Sequence, residues 1–411
     1  METVLEPGLA DATVRPVPLR LPRFLLREAA GSLGDLGTFV PLAVGMVQVA
    51  GLDAGTLLVT SGLVNIWGGL TFGIPIAVQP MKAICALAIA GALSGAQAAA
   101  AGLCVGVSML ALGLFGPVRQ FARMVPGPVL RGLQFTVAVE LALRGMQRVL
   151  AELSNHPVFT PQGIVLVGMA AGAMLSMWLL RRRLEWVSIG LLLVGLGLAA
   201  WHQPSLLSAP HLELWQPRLM AFDSRALEGI WRGGLPQLPL TLLNSVLAVT
   251  ALAGQLYPQH TRKVTPTRMA LSVGIMNILV CPLGGMPLCH GSGGLAGQHK
   301  LGARSGVSVV LLGLAKLVLG LLFGGVALAW MRAFPQSVLG LFLGVAGWSL
   351  AEASRAWETR AGTWASLLMV AAYYASGALL PAFAAGWLVW WGVRRGQSAA
   401  ERKESKSHGQ G

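Results

Sequence analysis

Long apolar runs alternate with short polar breaks along nearly the whole chain. Uncharged stretches such as Gln97 to Val118, Gln162 to Leu180 and Ala361 to Val393 recur, and a bilayer core asks for roughly 20 apolar residues per helix. The pattern predicts spans at 29–50, 56–74, 76–93, 97–117, 128–148, 162–180 and 184–202. A polar loop at 203–231 follows, then spans at 232–253, 268–284, 286–300, 306–330, 336–351, 361–376 and 378–394. Seven runs on each side of the loop force the second half to lie inverted relative to the first. The expected architecture is an all-α polytopic membrane protein of two inverted seven-span repeats.

Two runs are interrupted inside. One reads Gly73-Ile74-Pro75-Ile76-Ala77-Val78-Gln79-Pro80-Met81-Lys82, and the other Gly285-Met286-Pro287-Leu288-Cys289-His290-Gly291-Ser292-Gly293-Gly294. Proline removes a backbone donor and disfavours helix before itself, so the residues between Pro75 and Pro80 should be extended. A helix can restart near Pro80 or Met81, because proline suits the first turn. Irregular backbone at membrane depth is tolerated only where protein or a cavity surrounds it. A matched pair of broken spans points to the midplane site of a secondary transporter. Helix N-termini carry free N–H groups and partial positive charge. Two of them facing each other suit a small, multiply oxygenated anion, and Gly291 to Gly294 let backbone approach it closely.

Composition sharpens this. Of 411 residues, 55% are apolar and 11% charged, against about 25% charged in soluble proteins. The formal net charge of +14 fits loops under the positive-inside bias better than nucleic-acid binding, since no folded basic domain carries it. With the N-terminus inside, Arg119, Arg123, Arg181 to Arg183, Arg262, Lys263, Arg268, Lys300, Arg304, Arg355 and Arg360 fall on the inner side. The expected division is an N-terminal cytoplasmic tail (1–28), a first repeat (29–202), an extracytoplasmic loop (203–231), a second repeat (232–394) and a cytoplasmic tail (395–411). Residues 1–27 lack the apolar segment of a signal peptide. Cys85, Cys104, Cys281 and Cys289 sit in apolar runs without metal-ligand spacing and read as core residues. Gly102/Gly106, Gly320/Gly324 and Gly340/Gly344 put small residues on one helix face for close packing.

Polar residues inside spans are the remaining candidates. Asp35 and Thr38 lie in the first span, and Gln237, Thr241, Asn244 and Ser245 in its counterpart. Hydroxyl and amide donors suit an oxyanion. Asp35 is a candidate to take up a coupling proton, or to pair with Lys82. Glu140 and Arg144 are spaced to pair on one helix. His290 either lines the site or is packed and hydrogen-bonded. Gly291-x-Gly293-x-x-Ala296 resembles a dinucleotide fingerprint, but no βαβ unit or following acidic residue supports it. No nucleophile–base pair, metal set or cofactor motif points to an enzyme.

The segments Gly34-Asp35-Leu36-Gly37-Thr38-Phe39-Val40-Pro41, Phe72-Gly73-Ile74-Pro75, Val78-Gln79-Pro80-Met81-Lys82-Ala83, Leu235 to Ser245 and Pro287 to Gln298 resemble the signature segments of the molybdate-transporter family, related to the SulP sulfate permeases. The resemblance covers about 29–394. It implies a core domain and a gate domain, with the anion between the half-helices of the third and tenth spans. It further implies a substrate site of Thr38, Gln79, Met81, Lys82, Gln237, Thr241, Asn244, Gly291, Ser292, Gly293 and Gly294, and import of molybdate by alternating access. Sulfate or tungstate is the alternative substrate. A nucleobase permease of this fold would need carboxylates, and 235–253 and 286–300 contain no Asp or Glu. About 17 residues follow Arg394, too few for the STAS domain of sulfate permeases. The expected setting is a bacterial inner membrane with both termini cytoplasmic, and a homodimer is compatible with it.

Overall fold

The computed structural model describes residues 21–116, 126–155, 184–207, 214–354, 360–377 and 381–392, with isolated positions between them. The expected span at 162–180 and the tails at 1–20 and 395–411 lie essentially outside the described residues. In the first half run α1 (Leu21–Gln48), α2 (Ala54–Phe72), β1 (Val78–Pro80), α3 (Lys82–Ile89), α4 (Gly95–Phe115), α5 (Gly127–Asn155) and α6 (Leu184–His202). The second half holds α7 (Ala226–Leu256), α8 (Pro266–Leu283), β2 (Leu288–His290), α9 (Ser292–Lys300), α10 (Val307–Leu322), α11 (Gly324–Ala333), α12 (Gln336–Ser354) and α13 (Arg360–Ser376). Among them α2, α4, α7 and α8 are unbroken, long and apolar enough to cross a bilayer. One end of the bundle is basic, with Arg27, His260, Lys263 and Arg304 close to it. Gly51, Gly91 and Trp215 mark the opposite end.

Local signals set the helix ends. Asp53 caps α2 through Thr56 N (2.6 Å), and Gly73 ends it at φ 72°, a conformation glycine adopts freely. Ser94 and Gln97 form a capping box at the start of α4. Thr265 caps α8, with Pro266 at its first position. Within α1 the axis bends by 49° between Leu36 and Thr38. Pro41 accounts for it, because its ring clashes with the carbonyl four residues back, at Gly37.

The halves pack as an inverted pair. Helix α2 lies on α10, α4 on α8, and α5 on α12, so exchanging the repeats turns the α2–α10 contact into the α8–α4 contact. Glycines bring the axes close. A Cβ on Gly62 would meet Gly313 O and Leu317 N, both at 2.8 Å, and one on Gly106 would meet Asn277 Cβ at 2.9 Å. Gly62→Ala therefore tests this packing. Helix propensity alone favours alanine by about 1 kcal/mol, but rigid backbone on α10 opposes the added methyl, at about 1–3 kcal/mol for overpacking. The expected result is a lower unfolding temperature, read by a thermal melt in detergent.

Several elements depart from the apolar pattern. The extended breaks pair as a short two-stranded ribbon, which an all-α description omits. Helix α1 starts at Leu21 rather than 29, because its polar first turns are tied to the second half. Arg27 Nε donates to Gly302 O (2.9 Å), and the buried Glu28 carboxylate accepts from Arg304 N (2.9 Å) and Ser305 N (3.2 Å). Helix α7 begins at Ala226 instead of 232, with Gly229 set against the backbone of Gln97. The run at 306–330 is not one span. It breaks at Phe323 (φ −135°, ψ 29°) before two glycines, and α11 then meets α12 at 84°. The Gln48 amide holds this corner by donating to Met331 O (2.8 Å) and Phe334 O (3.0 Å). Glu140 and Arg144 do pair (2.8 Å), and Tyr374 donates to the same carboxylate (2.7 Å).

Candidate functional site

Both breaks are extended and antiparallel, with Val78 opposite His290, Gln79 opposite Cys289 and Pro80 opposite Leu288. Met81 N donates to Pro287 O (2.9 Å) and Gly291 N to Ala77 O (3.4 Å), extending the ribbon at both ends. Helix α3 leaves one end and α9 the other. The strand register thus sets the two helix starts at opposite ends of the ribbon, about 10 Å apart, the length of a three-residue strand.

Polar groups at this depth need partners, and two side chains of α8 supply them, Asn277 for backbone and Ser272 for the His290 ring. Asn277, fully buried, accepts from Leu288 N (2.8 Å) and donates to Leu288 O (2.6 Å) and Val273 O (2.8 Å). Ser272 Oγ lies 2.8 Å from His290 Nε2. His290 Nδ1 donates to Ala77 O (3.2 Å), which leaves Nε2 to accept from Ser272. His290 is 1% exposed and stacks edge-on with Phe72. Of the two roles open to it, it takes the packed one.

The expected site residues divide into a buried layer and an accessible one. In the buried layer, Gln237 Oε1 caps Ala83 N at the start of α3 (3.1 Å) while its Nε2 donates to Thr241 Oγ1 (3.0 Å). Gln79 Nε2 donates to Asp35 Oδ1 (2.8 Å), and Asp35 Oδ2 is buried without a protein partner. A Cβ on Gly291 or Gly294 would collide with the Gln79 amide, so these glycines make room for that side chain. Met81 is 0% exposed and joins the apolar core, contributing backbone alone. Thr38, Lys82, Asn244, Gly291 and Ser292 are partly accessible, and Gly293 is exposed with nothing within 4 Å of an added Cβ. No ion pair or hydrogen bond joins Lys82 to Asp35 among the described residues. Asn244 Oδ1 instead accepts from Gln134 Nε2 of α5 (2.8 Å), across the boundary between α7 and α5.

Helix α7 carries these side chains on widened turns. Residues Ile230–Gly234 and Thr241–Ala248 are π-helical, flanking Pro236 and Pro239. Such turns often mark functional positions. Together the accessible atoms offer N–H and O–H donors and one ammonium. The buried carboxyl of Asp35 stands behind Gln79. No group of His, Cys, Asp and Glu suited to a metal occurs among the described residues. A cavity of about 950 Å³ lies at the non-basic end, lined among others by Asp53, Trp215, Arg218 and Met220, and residues 77–83 and 290–294 take no part in it.

Sequence reasoning missed Asn277, Ser272, Gln134 and the buried Lys316–Asn65 pair (2.9 Å). Lys316 was readable as a lone ammonium within an apolar run, whereas the others look like ordinary helix-joining residues until the breaks are seen in place.

Residues 27–141 and 229–350 match a family profile described as "Molybdate transporter of MFS superfamily". Molybdate transporter 1 of Chlamydomonas reinhardtii is 35% identical, over 84% of this chain and 87% of its own. Molybdate transporter 1 of Arabidopsis thaliana is 33% identical, over 90% and 88%. In fold, the chain resembles the transmembrane domain of the cyanobacterium bicarbonate transporter BicA, with TM-score 0.60, 16% identity, and 89% and 97% of the chains covered. It also resembles murine Solute Carrier 26 family member A9, an anion transporter in the inward-facing state, with TM-score 0.63, 14% identity, and 92% and 69% covered. That fold has inverted repeats, unlike the parallel halves of MFS transporters, and the antiparallel β1–β2 pairing follows it. With more than half of the chain matched by the profile and relatives a third identical along most of their length, this protein belongs to the molybdate transporter family.

Proposed function

We propose that the chain imports molybdate by alternating access, with the anion between the first turns of α3 and α9. The observation that supports this is the paired breaks: two half-helices begin at opposite ends of one ribbon, and Lys82, Ser292 and Gly293 at their starts keep some exposure. Partial positive charge and free N–H groups suit a tetrahedral dianion there. The elements around the breaks (α1–α4 and α7–α10) form the core domain, and α5, α6, α12 and α13 form the gate domain against which it moves. The Gln134–Asn244 bond crosses that boundary, so it must exchange during the movement.

Asp35 carries the coupling proton in this reading, and Gln79 links it to the anion. With Asp35 ionised, the Gln79 N–H points to the carboxylate and its carbonyl lies beside Gly291, where it repels an oxyanion. A protonated Asp35 can donate to that carbonyl, so the amide can turn and offer its N–H to the substrate. Gln79→Ala should therefore weaken molybdate uptake about tenfold, on the scale of one lost charge-assisted hydrogen bond, and reduce its dependence on an inward proton gradient. Unchanged affinity would remove Gln79 from the site. The surroundings would be a bacterial inner membrane, with the basic end and both termini cytoplasmic.

The deciding experiment is uptake of labelled molybdate by the purified protein in liposomes, against excess sulfate, tungstate, phosphate or uracil. Saturable uptake competed by tungstate but not uracil is expected. Competition by sulfate as strong as by molybdate itself would make the chain a general tetrahedral-oxyanion carrier. Competition by uracil would overturn the anion reading.

A further inference from the structure

We propose that Lys316 is a positioning residue for the transport proton: its fixed positive charge faces Asp35 from behind the site and governs when Asp35 is ionised. The proposal rests on the reading of Asp35 as proton carrier and adds the group that controls it.

Lys316 lies midway along α10 and is 4% exposed. An ammonium at membrane depth is retained where it has a partner or a task. Its Nζ donates to Asn65 Oδ1 of α2 (2.9 Å) and stands 3.3 Å from the centroid of the Phe39 ring. Phe39 follows Asp35 by four residues on α1, so the ring under the ammonium lies one turn further along the chain, just past the bend. Two buried polar atoms flank this arrangement without a protein partner, Asp35 Oδ2 and Asn65 Nδ2. Asp35 and Lys316 make no direct ion pair in this conformation. Each nevertheless lies within the other's electrostatic field in a poorly polarisable interior, and no hydrogen bond joins them directly.

The surrounding charges leave Asp35 as the natural counterpart. Helix α10 packs on α1, α2 and α11. On α1, Arg23, Arg27 and Glu28 sit in the first turns near the basic end, and Asp35 alone reaches the middle. Helix α2 holds no charged residue beyond its cap Asp53, and α11 ends with Arg332. Around Asp35 itself, α3 begins with Lys82 and α9 ends with His299 and Lys300, α6 carries Glu185 and His202 near its two ends, and α12 carries Glu352 near its end. Lys316 is thus the buried cation fixed within the scaffold, whereas Lys82 stands on the accessible side.

The test uses the full chain as wild type, Lys316→Met, Asp35→Asn and the double variant, with Lys316→Gln keeping a donor for Asn65 without charge. Unfolding temperatures in detergent, without substrate, should fall in each single variant, and the double variant should lose clearly less than the two losses combined. In liposomes, the alkaline limb of the uptake profile for Lys316→Met and Lys316→Gln should lie about one pH unit above wild type, since a tenfold change in proton affinity is one unit, and Lys316→Arg should keep the wild-type profile. Additive losses, or an unmoved profile in both neutral variants, overturn the proposal. A wild-type protein that takes up no molybdate would sink the transport reading instead, and the melting cycle would still decide the pairing.

Discussion

Gly294→Ala should cut molybdate uptake by at least about 100-fold, the range in which small displacements of a binding geometry are felt. An added Cβ would collide with the Ala77 methyl and the Gln79 amide and come within 3.0 Å of Asp35 Oδ1. None of these can retreat easily. Ala77 precedes the strand that pairs with β2, and Gln79 and Asp35 hold each other (2.8 Å). One methyl therefore pushes the Asp35 carboxyl, the Gln79 amide and the start of α9 apart together. Gly293→Ala is the matched control, because its Cβ meets nothing within 4 Å. It should fold as wild type and weaken uptake only to the extent that the methyl intrudes on the anion's space. Uptake by Gly294→Ala equal to that of Gly293→Ala would show that the tight fit around Gln79 has no bearing on transport.

Asn277→Leu should be the most destabilising single change in the core. The substitution strands Leu288 N and Leu288 O, which Asn277 serves at 2.8 and 2.6 Å, in a region where water cannot replace them. Each unpaired buried group costs about 1–3 kcal/mol. Together, at about 2–6 kcal/mol, they offset or outweigh the roughly 1.5–3 kcal/mol that burying a leucine returns. Cys281 and Gly106 are in contact with Asn277 as well, so the bulkier side chain must also displace α4. A large drop in unfolding temperature, or failure to recover monodisperse protein, is expected. Asn277→Leu protein that melts like wild type would mean that the second break is held by other contacts.

The breaks themselves were legible because proline and glycine act locally. Pro75, Pro80 and Pro287 mark extended backbone, and helix restarts at Lys82, two residues after Pro80, and at Ser292, five after Pro287. The partners of the breaks were not legible. Gln79 finds Asp35 and Ala83 finds Gln237 across 44 and 154 residues, and no periodicity encodes such distances. The π-turns of α7 were hidden for a related reason: a widened turn shifts the helical face without changing the run of apolar residues. Helix α11 escaped because it continues the apolar run of the helix before it, and two glycines in a glycine-rich chain do not stand out. Asp35 was recognised as a buried carboxyl, yet its expected partner Lys82 proved to be on the accessible side, with Lys316 behind it.

The position of the bound anion is open to direct observation. Crystals of the protein soaked in molybdate or tungstate would give a metal-specific anomalous signal at an unambiguous position. One peak is expected between the first turns of α3 and α9, beside Lys82, Ser292 and Gly293, and lost in Gly294→Ala. A peak lodged instead in the cavity near Asp53, Trp215 and Arg218, with the space between the half-helices empty at saturating anion, would contradict this placement.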